Sequence, residues 1–201
     1  MVSKTVDFYN KEAKTWFDNH VGKKWSFRDE LLVEFKKLLP KGNVLEIGCG
    51  PGIDARKLID AGFDYIGIDA SEEFVKLAKK INPNINFLTM PVEKLDFPKN
   101  TFDGFWTSAT LLHIHKKNIN IILNKIREVC KTGAIGFISL KEGEGEIEEN
   151  ETGRWFSFYK SEEFKKILIK NGMEIIEFKV FKDRRKNKPD LDWLMFYIKV
   201  I

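Results

Sequence analysis

Val44-Leu45-Glu46-Ile47-Gly48-Cys49-Gly50-Pro51-Gly52 sets the reading of the whole chain. It opens as a short apolar run and breaks into glycine at every second position. It then passes into Ala55, Leu58 and Ile59, whose spacing fits one helical face. A buried strand, a glycine turn and a helix in that order bring backbone N–H groups and the positive end of a helix to one point. Glycine there allows a tight turn and close approach of backbone to a ligand. The dinucleotide fingerprint Gly-x-Gly-x-x-Gly fails, because its third position is Ile53. A phosphate P-loop fails too, since no Gly-Lys-Ser/Thr occurs.

Outward from this stretch, strands and helices alternate. Upstream are two amphipathic helices. The second places Leu31, Leu32, Phe35, Leu38 and Leu39 on one face and ends at Pro40-Lys41-Gly42. Downstream, Phe63–Ile68 reads as a second strand. Ser71 is an N-cap with Glu72 and Glu73 in the first turn, and Phe74, Leu77, Ala78 and Ile81 form the apolar face that follows. Further strands are expected over Ile85–Thr89, Phe102–Thr107 and Ala134–Leu140. Helices are expected over His115–Val129 and from Ser161 to Asn171-Gly172. Two strands, Met173–Phe181 and Leu191–Val200, finish the chain. These last two are joined by a loop too short for a parallel crossover, so the final strand should run antiparallel. The expected fold is α/β: a doubly wound, mostly parallel seven-stranded sheet with an antiparallel last strand. Residues 1–201 read as one domain, with 1–40 a helical lid and 41–201 the core.

Composition excludes several classes. The 201 residues are 43% hydrophobic and 32% charged, an ordinary globular mix. Cys49 and Cys130 are too few for a disulfide framework, which points to a reducing compartment. No signal peptide is recognisable at the N-terminus, and no run approaches the roughly 18 apolar residues of a membrane span. A cytoplasmic protein without a membrane partner is expected. No His/Cys/Asp cluster has metal-ligand spacing, so no metal is expected. Nothing sets an oligomeric state. A net charge of +4 permits a nucleic-acid partner without implying one.

Glycines at 48, 50 and 52 behind the acidic Glu46 resemble motif I of the class I S-adenosylmethionine-dependent methyltransferases. Three other stretches carry the same resemblance. Asp69 closes Gly67-Ile68-Asp69 about 20 residues past the loop, where an acid accepts from ribose hydroxyls. Leu95, Phe97, Pro98, Phe102 and Asp103 match the family's approach to its fourth strand, although Pro91 stands where many relatives place an acid facing the adenine amine. Tyr9, Ala13 and Trp16 are similar to the opening helix of many small members. The resemblance implies a Rossmann-like methyltransferase fold and S-adenosyl-L-methionine as methyl donor, with S-adenosyl-L-homocysteine as product. It assigns donor contacts to Tyr9, Glu46, Gly48, Cys49, Gly50, Gly52, Asp69, Ala70, Met90, Val92 and Thr107, with Ser108 beside them.

In Trp106-Thr107-Ser108-Ala109-Thr110-Leu111-Leu112-His113, the histidine is the best-placed titratable group near the methyl. It is an optional general base, or a structural residue at the next helix. Arg154, Trp155 and Tyr159 are candidate acceptor-pocket residues, or core. The segment Lys141–Glu151 has six glutamates and reads as a mobile acidic loop that would attract a cationic acceptor. Lys182, Arg184, Arg185, Lys186 and Lys188 could hold phosphates of an RNA partner. A small-molecule acceptor is the leading expectation. The alternatives are a tRNA or other RNA methyltransferase, or a non-catalytic donor-binding partner subunit.

Overall fold

The computed structural model describes residues 3–21, 26–183 and 191–201. In chain order its elements begin with helices α1 (Ser3–His20) and α2 (Ser26–Leu38). The alternating units follow: β1 (Asn43–Ile47), α3 (Ala55–Asp60), β2 (Asp64–Asp69), α4 (Glu72–Ile81), β3 (Asn86–Thr89), β4 (Phe102–Ser108), α5 (Ile119–Val129) and β5 (Cys130–Lys141). Last come the short strands β6 (Glu146–Glu148) and β7 (Trp155–Ser157), then α6 (Ser161–Lys170), β8 (Met173–Asp183) and β9 (Leu191–Val200).

Seven strands form one sheet in the order β3-β2-β1-β4-β5-β9-β8. Strands β1 to β5 pair in parallel, as in Leu45↔Ile66 and Leu45↔Phe105. β9 runs antiparallel to both β5 and β8. The sheet is therefore doubly wound with one antiparallel strand, as the short final connection requires.

Alternation along the strands splits the core into two layers. Phe105 and Ile138 face one side, against Leu123 and Ile126 of α5 and Phe164 of α6. Trp106 and Phe137 face the other, with Phe35 of α2 and Leu58 of α3. The Tyr197 hydroxyl donates to the Leu31 carbonyl at 2.8 Å and ties β9 to α2. At the head of α4, the Ser71 hydroxyl accepts from the Phe74 amide at 3.1 Å, with Glu72 and Glu73 in the first turn.

Some segments differ from the sequence reading. β2 starts at Asp64 and β5 at Cys130, and the helix expected from His115 opens as a 3₁₀ turn, Lys116–Asn118, before α5. The acidic stretch is not an open loop. Glu146↔Ser157, Ile147↔Phe156 and Glu148↔Trp155 pair as an antiparallel hairpin, β6–β7. Its charge is also largely neutralised within the chain. Glu148 pairs with Lys4 at 2.7 Å, Glu149 with Arg154 at 2.7 Å and Glu144 with Lys160 at 3.5 Å. Glu146 accepts from the Lys116 amide and the Ser157 hydroxyl. Of the basic segment, Lys182 lies in β8, whereas Arg184, Arg185, Lys186 and Lys188 lie outside the described residues. Among the described residues no helix is long and apolar enough to cross a membrane, and no group of acidic, His or Cys side chains could hold a metal ion.

Candidate active site

A cavity of about 130 Å³ opens at the carboxyl ends of β1, β2 and β4. This is the ligand end of an open parallel sheet. Its floor is the glycine loop. The amides of Gly48 and Cys49 both donate to the Ile68 carbonyl, at 2.8 and 2.9 Å, which fixes the loop against β2. Gly48 has φ +75°, and a Cβ there would lie 2.1 Å from Thr110 Oγ1. Gly50 has φ +52° and nothing within 4 Å of its would-be Cβ. One glycine is therefore required by packing, and the other leaves room.

Asp69 is the pivot of the site. Its Oδ2 accepts from the Gly50 amide and its Oδ1 from the Ser71 amide, both at 2.8 Å. Each oxygen keeps a lone pair for a further donor. Burial pushes its pKa up to about 6, against the pull of these backbone donors. Glu46 is 3% exposed, lines the cavity and accepts from the Tyr65 hydroxyl. Burial also pushes the Cys49 thiol well up, so it stays protonated in the wall.

Helix α1 forms the roof. Tyr9 and Trp16 line the cavity and pack on Phe74 with ring centroids at 5.4 and 5.3 Å. Asn10 Oδ1 accepts from the Ser71 hydroxyl at 2.8 Å and so pins α1 to the head of α4. On the far wall, Ser108 ends β4 and Ala109, Thr110 and His113 follow it. Ala109 holds φ +58°, a strained value for a non-glycine residue, and its amide donates to Ser139 Oγ at 2.9 Å.

The residues singled out in the sequence do not all meet in one place. Tyr9, Glu46, Gly48, Cys49, Gly50, Asp69 and His113 meet in this cavity. Ala70 instead lines a separate recess of about 510 Å³ with Val6, Asp7, Pro91 and Glu93. Met90 donates its amide to the Asp69 carbonyl and packs on the core, where Val92 is buried. Gly52 and Thr107 lie behind the wall. A Cβ on Gly52 would meet Asn82 and Phe87, and Thr107 is fully buried. Tyr159 is also fully buried, its ring against Phe164 and under Lys116, so its place is the core and not a pocket wall. Arg154 is held by Glu149 and lies 4.7 Å from the Phe8 ring centroid. The Trp155 amide donates to Thr5 Oγ1 at 2.8 Å, which joins the hairpin to α1. Neither Arg154 nor Trp155 belongs to the cavity lining. Sequence reasoning passed over Trp16, Phe74, Asp54 and Thr110 as site residues. Trp16 entered only through the opening-helix resemblance, without a site role, and Phe74 only as part of the apolar face of α4.

A glycine loop on a buried acid, at the ligand end of a parallel sheet with one reversed strand, defines a nucleoside-binding α/β protein of the Rossmann-like methyltransferase fold. Residues 44–133 match the family described as Methyltransferase domain. The chain is 33% identical over 136 residues to the eEF1A lysine and N-terminal methyltransferase of Mus musculus, covering 64% of this chain and 19% of that protein. It is 26% identical to a ubiquinone biosynthesis O-methyltransferase of Rickettsia akari, covering 75% of this chain and 66% of the other. The chain thus spans about a fifth and about two thirds of these two relatives' lengths. The 1,6-didemethyltoxoflavin-N1-methyltransferase of Burkholderia thailandensis, solved with its acceptor and S-adenosylhomocysteine, superposes with a TM-score of 0.76 at 20% identity. That match covers 99% of this chain and 87% of the other. Residues 44–133 are thus a methyltransferase domain, and the matches together support a class I S-adenosylmethionine-dependent methyltransferase.

Proposed function

We propose that this protein transfers the methyl group of S-adenosylmethionine to a small-molecule acceptor by in-line displacement. One observation carries the reading: Asp69 accepts from Gly50 in a cavity where Gly50 alone leaves the room a side chain would fill. When bound, the donor supplies a methyl on a cationic sulfur with a neutral leaving group.

The chain's own residues then bind, orient and exclude water. Asp69 accepts from the two ribose hydroxyls through the lone pairs its backbone partners leave free. Gly48, Cys49 and Gly50 bring backbone against the amino-acid end, and Glu46 faces it from the cavity wall. Ala70, with Pro91 and Glu93, borders the recess next to Asp69 that receives the base. Tyr9 and Trp16 close over the top, so residues 3–20 act as a lid on the core. A cavity of about 130 Å³ is smaller than the roughly 300–1,000 Å³ of ligand sites, so α1 has to shift for loading. Rate enhancement comes mainly from alignment, which is worth up to about 7–11 kcal/mol for well-held reactants.

A small acceptor is favoured because α1 closes over the cavity and no lysine or arginine is among its described lining residues. The test is incubation with methyl-labelled donor and a cell extract separated into small molecules, RNA and protein. Label in the small-molecule fraction supports the reading, and label confined to RNA or protein refutes it.

A further inference from the structure

Tyr9, His113 and Trp155 form a directed hydrogen-bond chain on the cavity wall. His113 Nδ1 lies 2.6 Å from the Trp155 carbonyl oxygen. A carbonyl only accepts, so Nδ1 carries the proton. Burial holds the imidazole pKa down at about 4, so near neutral pH the ring has that one proton and no other. Nε2 is then a bare lone pair, and the Tyr9 hydroxyl, 3.0 Å away, donates to it. Burial raises the Tyr9 pKa, and the positive charge of the nearby Arg154 guanidinium opposes that rise. The phenol therefore points its proton at a neutral imidazole and keeps a cation beside its oxygen. Tyr9 and His113 both line the cavity.

We propose that Tyr9 takes the proton of an acceptor hydroxyl or weakly basic ring N–H while passing its own to His113. The inference rests on the methyl-transfer reading and names its acceptor class. The acceptor atom uses a lone pair to bond the methyl carbon, and the carbon–sulfur pair stays on sulfur. The acceptor's X–H electrons stay on X, and that proton goes to Tyr9 Oη. The Tyr9 O–H electrons stay on oxygen, and its proton goes to His113 Nε2. The positive charge thus moves from sulfur to the imidazole, whose Nδ1–H still donates to Trp155. Tyr9 is the catalytic residue, and His113 acts through it.

The weakness of this base selects the acceptor. An alkylammonium near its usual pKa of about 10 must lose a proton before it can attack, about six units above His113, or roughly a millionfold. A hydroxyl or ring N–H needs no such step, since its proton becomes strongly acidic only as the new bond forms. Arg154 and Lys141 face His113 and oppose its charging, while Glu149 favours it. The relay thus serves a transient proton and not a stored one.

Three readouts test this. First, the purified chain with labelled donor is offered 3,4-dihydroxybenzoate, lumazine and N-acetyl-lysine methyl ester, together with the small-molecule fraction of an extract. Label in hydroxyl or ring N–H products supports the proposal, and label on alkylamines overturns it. Second, with whichever acceptor is labelled, kcat should stay flat from about pH 5.5 to 8.5 and fall at least tenfold in Tyr9→Phe and in His113→Gln. An acid limb near the ordinary histidine value of about 6.5, or full kcat in Tyr9→Phe, overturns it. Third, ¹⁵N spectra of the uniformly labelled protein should give the Nδ1–H tautomer for His113, and an Nε2–H tautomer overturns the relay without any acceptor. Failure of the chain to bind S-adenosylhomocysteine would instead refute the underlying methyl-transfer reading.

Discussion

The Asp69 carboxylate lies 2.8 Å from the Gly50 amide and so couples the end of β2 to the turn leaving β1. Its pKa, raised to about 6, makes the site pH-sensitive in a defined direction. In the folded protein the neutral acid is favoured relative to the unfolded chain, where an Asp titrates near its ordinary value of about 3.9. This contribution is fully present below that value and is lost as pH rises through about 6, a change of about 2–3 kcal/mol. The melting temperature of wild type relative to Asp69→Asn should therefore fall between about pH 4 and 6.5. Differential scanning calorimetry across that range checks it, and parallel curves would contradict it.

Donor binding should show the opposite limb. Ribose hydroxyls donate to the ionised form, so uptake near pH 6 must release a proton from Asp69. The apparent affinity should weaken up to about tenfold per unit below pH 6. Titrations at pH 6 in two buffers of different ionisation enthalpy should give heats that differ in the sense of proton release.

Gly48 and Gly50 should respond differently to alanine. Both hold positive φ, which costs a side-chain-bearing residue about 1–2 kcal/mol. Gly48→Ala adds a collision with Thr110 and should destabilise the fold by more than that. Gly50→Ala should melt within a few degrees of wild type yet bind S-adenosylhomocysteine at least tenfold more weakly, because its methyl group enters the cavity. Thermal melts paired with calorimetry separate the two effects.

Tyr159 supplies a control for the core. Its hydroxyl is buried without a hydrogen-bond partner among the described residues. Tyr159→Phe should keep donor affinity unchanged and leave stability equal or higher by about 1 kcal/mol. A large loss of acceptor turnover in this variant would return Tyr159 to the acceptor pocket.

Much of this architecture was legible in the sequence because local chemistry and fold agree. The glycine loop, the Ser71 cap and the short link before β9 each permit few backbone solutions. The floor of the site followed from the same signals, since Gly48, Gly50 and Asp69 lie at ends of strands that periodicity locates. The roof was harder to read. Trp16 gave only a likeness to an opening helix and Phe74 only an apolar helix face, and the docking of α1 on α4 is what brings both to the cavity. The glutamates of 142–151 suggested an exposed acidic loop, because partners distant in sequence, such as Lys4, are invisible to a local pattern. The sequence offered His113 as an optional base or a structural residue and gave no sign of Tyr9 as its partner. Its Nε2 faces Tyr9 and its Nδ1 faces a carbonyl, and neither contact is local.

The most direct measurement is calorimetric titration of the purified chain with S-adenosylhomocysteine at pH 7.5. Saturable one-site uptake that weakens at least tenfold in Gly50→Ala is the predicted result. An absence of heat at millimolar ligand with folded wild-type protein would contradict it.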